Sequence, residues 1–232
     1  HLSIRRQRQM CIRDRSLAGH RDDGSRWVMF SFFGGGHGGH SDGDGLSHGN
    51  APISMATIPP LEILESAYPV AFRRWSLRPD SGGAGQHRGG LGAVYEVEVL
   101  ANGADGFFFG ERGRHAPQPV GAGKPAALNR FSYRADKQDD TAPETPPMTS
   151  KQVGIKLQHG GSVRLETPGG GGYGDPLLRA PAAVAADVRL GYVSTEMART
   201  MYGVALGADG AVDDAGTAAL RADMRPETSG QE

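Results

Sequence analysis

The sequence predicts an α+β fold: a β-rich core of hairpins with glycine-rich loops, followed by short C-terminal helices. Three observations carry this reading. Apolar residues alternate in short segments as far as Glu166, helical spacing appears only after Pro181, and glycine-dense stretches at 34–45, 77–92 and 169–174 punctuate the chain.

Residues 26–33 are apolar and aromatic and run into glycines, which predicts a buried strand. The following loop, 34–45, holds too many glycines for a helix, and 46–58 is irregular. Pro59-Pro60 opens a short helix. Leu61, Leu64 and Tyr68 share one face, Glu62 and Glu65 sit early where the dipole favours them, and Pro69 stops it. Residues 70–77 form a strand whose apolar parity changes between Phe72 and Trp75, so a bulge is expected at Arg73-Arg74. Residues 93–100 alternate cleanly, with Ala93, Tyr95, Val97 and Val99 opposite Glu96 and Glu98. Asn102-Gly103 predicts a hairpin turn returning through Phe107-Phe108-Phe109, a run read as core together with Trp75.

Residues 112–124 are a Gly/Pro loop, 126–134 a further short strand, and 135–150 a polar, proline-bearing loop expected to be exposed and mobile. Residues 151–166 read as a hairpin about Gly160-Gly161, with Val153, Ile155 and Leu157 answered by Val163 and Leu165. Helices are expected at 181–190, 195–202 and 214–225, the last with Leu220 and Met224 inward.

A chain of 232 residues and 24.5 kDa is long enough for a substantial core. Glycine (36) and proline (15) stay just under the share at which low-complexity disorder becomes the default. The formal net charge of -1 gives no electrostatic case for nucleic acid or an anionic membrane, and no apolar run is long enough to span one. The single cysteine excludes a disulfide within these residues and fits a reducing, cytoplasmic setting. Residues 1–16 are arginine-rich without amphipathic period; they are expected to be a non-native, adapter-derived segment, and Cys11 goes with them.

The central stretch, 77–92, places an acid, a hydroxyl, an imidazole and a guanidinium among glycines. Asp80, Ser81, Gly82 and Gly83 begin a loop whose backbone N–H groups are suited to cradle an anion, with Arg88 as a bidentate donor. A tight connection that needs glycine only for its turns fits equally well. His87 is the acid–base candidate because imidazole changes charge near neutral pH; a surface ion pair with Asp80 is the alternative. His37, His40, Asp42, Asp44 and His48 form the one His/Asp cluster. Its spacing matches no strong metal motif, so these residues are expected to line a shared cleft, with His48 joining His87 and Arg88 as a catalytic candidate. The loop 167–175 lacks the lysine and hydroxyl of a Walker motif, which argues for packing rather than nucleotide binding.

Three segments in order resemble the hydantoinase B/oxoprolinase family. They are Phe32-Phe33-Gly34-Gly35-Gly36, the Leu-Arg-Pro-Asp-Ser-Gly-Gly-Ala-Gly block from Leu77 with its following His87-Arg88-Gly89-Gly90-Leu91-Gly92, and 167–176 followed by Val188-Arg189-Leu190-Gly191-Tyr192-Val193-Ser194. The resemblance implies that 17–232 is the C-terminal part of such a domain, truncated on its N-terminal side. Nothing here matches the family's His-x-x-Asp motif, so a divalent metal is implied only for the missing half. Arg114-His115 resembles a pair found at this point in the family, which implies a place at the same cleft; a loop tie to a carboxylate is the favoured alternative. The implied activity is ATP-dependent opening of a cyclic amide such as 5-oxoproline or an N-methylhydantoin, with ATP held by a partner A subunit or domain. Carboxylation of a ketone is the related alternative. A non-catalytic module docking to the A subunit is the alternative of another class.

Overall fold

A computed structural model describes residues 13–49, 59–137 and 142–225. Two four-stranded antiparallel sheets face one another across a single core. The first has the order β2-β1-β5-β7, built from β1 (Arg13–His20), β2 (Arg26–Phe32), β5 (Ala104–Gly110) and β7 (Lys151–Leu157). The second has the order β3-β4-β8-β6, built from β3 (Val70–Leu77), β4 (Ala93–Val99), β6 (Arg130–Arg134) and β8 (Ser162–Glu166). Leu17, Met29, Phe108, Ile155 and Leu157 of the first sheet interdigitate with Val70, Tyr95, Val97, Phe131 and Val163 of the second. The Phe108 and Phe131 rings stack with centroids 4.3 Å apart. This is sheet-on-sheet packing driven by burial of the alternating faces.

The α+β class holds, but its hairpins do not. β4 and β5, joined through Asn102-Gly103, lie in different sheets, and so do β7 and β8, joined through Gly160-Gly161. Both turns are corners that carry the chain across the sandwich. The hairpin reading fails because the inner faces of two packed sheets show the same alternation as two strands paired side by side. β1 pairs in register with both β2 and β5, so residues 13–16, set aside with the first sixteen, start a central strand. Residues 1–12, with Cys11, lie outside the described residues. The bulge in β3 is present, between Phe72 and Arg74. Phe107 and Phe109 face outward while Phe108 is buried, and Trp75 is only half-buried.

The short helix α1 (Leu61–Ala67) packs on β3. After a 3-10 turn, the helices α2 (Pro181–Arg189), α3 (Thr195–Tyr202) and α4 (Asp214–Met224) surround a second small core of Val184, Val193, Ala198, Tyr202 and Val204. Ser194 caps α3 through Met197 N–H, and Gly203 ends it in the left-handed region, as its place after the last apolar residue predicts. In α4 Thr217 is the buried residue; Leu220 is half-buried and Met224 points out. Two-stranded β9 (Ala205–Leu206) and β10 (Val212–Asp213) flank the turn at Asp209-Gly210.

The described part of 135–150 is mostly exposed, yet it is tied down: Tyr133 and Glu144 exchange both backbone hydrogen bonds, and Ser150 is buried. Among the described residues no helix is long and apolar enough to cross a membrane.

Candidate functional site

The three glycine stretches converge into one block of extended backbone laid against extended backbone. Gly36 N–H donates to Pro168 O, Gly83 N–H to Gly170 O, Gly90 N–H to His37 O and Gly170 N–H to Gly90 O, at 2.8–3.0 Å. A Cβ on Gly170 would lie inside the His37 carbonyl and 2.5 Å from the Gly38 nitrogen; one on Gly89 would lie inside the Gly170 carbonyl. Neither glycine has positive φ. Glycine is needed here for close approach of main chain to main chain. The N–H groups of Gly83, Gly89 and Gly90, which an anion nest would use, are spent on neighbouring carbonyls.

A quartet of charges, buried except for the one-third exposed Asp44, pins this block to the C-terminal helices. Arg179, 6% exposed, binds Asp44 with both ends of its fork at 2.7 Å, and reaches Asp187 of α2 at 2.8 Å and the Gln86 carbonyl at 3.1 Å. Arg88, 5% exposed, donates to Gly89 O at 2.9 Å. Its guanidinium lies 3.5 Å from Asp187, 3.8 Å from Asp44 and 5.3 Å over the Tyr192 ring. Asp44 also accepts the Arg88 backbone N–H at 2.7 Å. Two cations and two anions balance, as a low-dielectric setting requires. Burial pushes the Asp44 carboxyl up, but Arg179, by hydrogen bond and charge, and then Arg88 outweigh it and leave it below the usual range. Burial raises the neighbouring Tyr202 hydroxyl to about 12, against the pull of Arg179 and Arg88, so it stays protonated.

Each residue singled out from the sequence has a defined place. Asp80, at φ 58°, donates its N–H to Tyr192 O and accepts Ser194 N–H, tying the central loop to the α2–α3 connection. Ser81 is fully buried between Arg78 O and Gly92 N–H, while Gly82 and Gly83 lie inside the block. His37 lends its carbonyl to Gly90 and its N–H to Leu46 O. His40 and Gly43 form a tight bridge in which Nδ1 of His40 accepts the Asp42 N–H at 3.2 Å. His87 is half-buried and exchanges both backbone bonds with Tyr173, whose ring centroid lies 6.1 Å from its own. Gly39 stands against the His87 carbonyl, which brings the His40 loop beside it. Arg114 and His115 are exposed, and no described side-chain bond links them to the block.

His48 sits elsewhere, at the sandwich end of the block. Its Nε2 receives the Trp75 indole N–H at 3.0 Å and also meets the Tyr95 hydroxyl. An indole nitrogen can only donate, so Nε2 carries the lone pair, Tyr95 donates as well, and the ring proton is on Nδ1. With the Phe33 and Tyr95 rings 4.2 Å apart, this is an aromatic plug that holds the first loop against β3 and β4. Trp75→Phe removes one donor and should lower stability by about 1 kcal/mol, read by urea unfolding; no change would show that the indole bond contributes nothing.

The sequence reading missed Arg179 and Asp187. Asp187 had a signal: it falls three residues after Val184 and one before Val188, on the apolar face of α2. Arg179 had none. Among the described residues no group of three or more His, Cys, Asp or Glu side chains could hold a metal ion.

The family model for hydantoinase B/oxoprolinase matches residues 4–176. The chain is 42% identical over 168 residues to the caprolactamase subunit beta of Pseudomonas jessenii, an alignment covering 70% of this chain and 28% of that subunit. The crystal structure of ATP-dependent caprolactamase from the same organism superposes with a TM-score of 0.74 at 30% identity, over 93% of this chain and 39% of that one. A nucleotide-free acetone carboxylase superposes with a TM-score of 0.76 at 30% identity, over 91% of this chain and 32% of that one. The chain thus spans well under half the length of the relatives it matches.

Proposed function

This chain belongs to the hydantoinase B/oxoprolinase family, and on that premise we propose that it forms part of an ATP-dependent hydrolase of cyclic amides, working with an A-type subunit that carries the nucleotide. The observation that carries this reading is the 42% identity to a caprolactamase subunit beta. A lactam carbonyl is a poor electrophile. Phosphorylating its oxygen with ATP releases ADP and activates the carbon. One water adds there and the C–N bond breaks, opening the ring to a free amine and an acyl phosphate, and a second water hydrolyses the acyl phosphate to a carboxylate and phosphate. In this reading the glycine block is a rigid base, and the half-buried His87 beside Tyr173 is its acid–base group. Arg88 and Asp44 are spent on the quartet, which supports a positioning role for them rather than contact with substrate.

The test supplies an A-type subunit and ATP and follows ring opening of caprolactam, 5-oxoproline or a hydantoin, for this chain and for a B-type subunit carrying it. His87→Gln should lower kcat by about 10²–10⁴-fold with little effect on KM. An unchanged kcat would remove His87 from the chemistry. The superposition on acetone carboxylase favours one second reading, carboxylation of a ketone, which would show as turnover dependent on bicarbonate and acetone. Turnover in the longer subunit alone would mark this chain as a non-catalytic module docking to the A subunit.

A further inference from the structure

The outer faces of the two sheets differ in kind. That of the second sheet is a ladder of ion pairs: Arg73 with Glu98 at 2.6 Å, Arg164 with Glu96 and with Glu166 at 2.8 Å, and Arg78 with Glu166 at 3.2 Å. That face is charged and internally paired, with Arg73 exposed and Arg78, Glu98 and Glu166 mostly covered. The outer face of the first sheet carries Val28 and Phe30 of β2, Phe107 and Phe109 of β5, and Val153 of β7, each between 38% and 58% exposed. They form one patch, bordered on the same face by the Asp105–Lys156 ion pair. Ser16 of β1 pairs with both Phe30 and Phe107, which sets those two residues in a row across three strands, and the Phe107 and Phe109 rings lie 4.6 Å apart.

The five side chains present roughly 450 Å² of apolar area, at about 200 Å² for a whole aromatic side chain, within the range where a patch marks an interaction site. That area suits an interface between parts of one polypeptide, which buries about 600–1,500 Å² in total. The matched relatives carry more than half of their length outside the region this chain covers.

We propose that the outer face of the β2-β1-β5-β7 sheet is the seat of the remainder of a B-type subunit's own polypeptide, which lays an uncharged, apolar surface over Phe30, Phe107 and Phe109. The inference rests on family membership and not on the reaction proposed above, and its test reads no activity.

Two arms decide it. In the first, the 232-residue chain is compared with its Phe107→Ser/Phe109→Ser variant by 1-anilinonaphthalene-8-sulfonate fluorescence, melting temperature and sedimentation velocity. The wild type should be a monomer that binds the dye, and the variant should lose at least half of that signal with its melting temperature within 2 °C. A wild-type dimer made monomeric by the variant would overturn the proposal in favour of a second copy. A melting temperature lowered by more than 5 °C would overturn it by showing that these rings already pack within the chain. In the second arm, the chain replaces the matching stretch of the P. jessenii caprolactamase subunit beta, and hydroxyl-radical labelling of Phe107 and Phe109 is read by mass spectrometry. Labelling about tenfold below that of the isolated chain is expected. Equal labelling in a folded hybrid, or protection that appears only when the A-type subunit is added, would overturn the proposal; if the hybrid does not fold, the first arm decides.

Discussion

Gly170→Ala is expected to leave the chain unable to reach its folded state. The added methyl would occupy the space of the His37 carbonyl, and the next nearest atom is the Gly38 backbone nitrogen. Both are main chain, and the His37 carbonyl is held by Gly90 N–H at 2.8 Å, so neither can move as a flexible side chain would. Overpacking in a side-chain core costs about 1–3 kcal/mol because rotamers adjust. No such adjustment exists in a block of stacked peptide planes, and a loss above about 5 kcal/mol is expected, a large share of the stability of a domain this size. Gly154→Ala is the control. That residue has φ +70° with nothing within 4 Å of its Cβ position, so only left-handed strain of about 1–2 kcal/mol applies. Soluble yield and urea unfolding of the two variants check this. A Gly170→Ala chain as stable as the Gly154→Ala chain would refute close main-chain packing as the reason for the glycines.

The same contrast explains what the sequence discloses. Most strand positions, the bulge in β3 and the three late helices are local matters of period and punctuation, and they were legible; β1 was not, since its arginine-rich start carries no apolar alternation. Which strand pairs with which was not. The outer-facing Glu96 and inner-facing Val97 of β4 alternate identically whether the next strand lies beside them or across the core. The glycines were visible, but their purpose was not, because close approach is a property of pairs of segments more than forty residues apart, such as Gly90 and Gly170. An anion cradle and a turn, the local uses of glycine, were therefore the two readings open at 77–92, while packing was read only for 167–175. In the candidate site, the pairing of Asp44 with Arg88 brings together two residues that the sequence did single out, in a role it did not assign. Charged groups in a glycine loop suggest a ligand; here they neutralise each other, with Arg88 buried and Asp44 partly exposed.

Removing Arg179 tests that assignment. Arg179→Met keeps the bulk of the side chain but deletes the charge that binds Asp44 by two bonds and Asp187 by a third. The quartet passes from neutral to net negative, with two carboxylates sharing Arg88. Breaking a buried pair by removing one partner costs about 3–5 kcal/mol, and because the Asp44 side chain is about one-third exposed the lower end, about 3 kcal/mol, is expected. Arg179→Lys retains the charge without the fork and should cost about half as much. The dependence on pH has a definite sign. The Asp44 carboxyl is held below its ordinary value near 3.8, so its contribution is complete above that pH and is lost as pH falls through the lower, folded value. The gap between wild type and Arg179→Met should therefore be widest at pH 7 and shrink below pH 4. Urea unfolding at both pH values measures it. A gap under 1 kcal/mol at pH 7, or one that widens in acid, would mean that the helices are held to the glycine block by their apolar contacts alone.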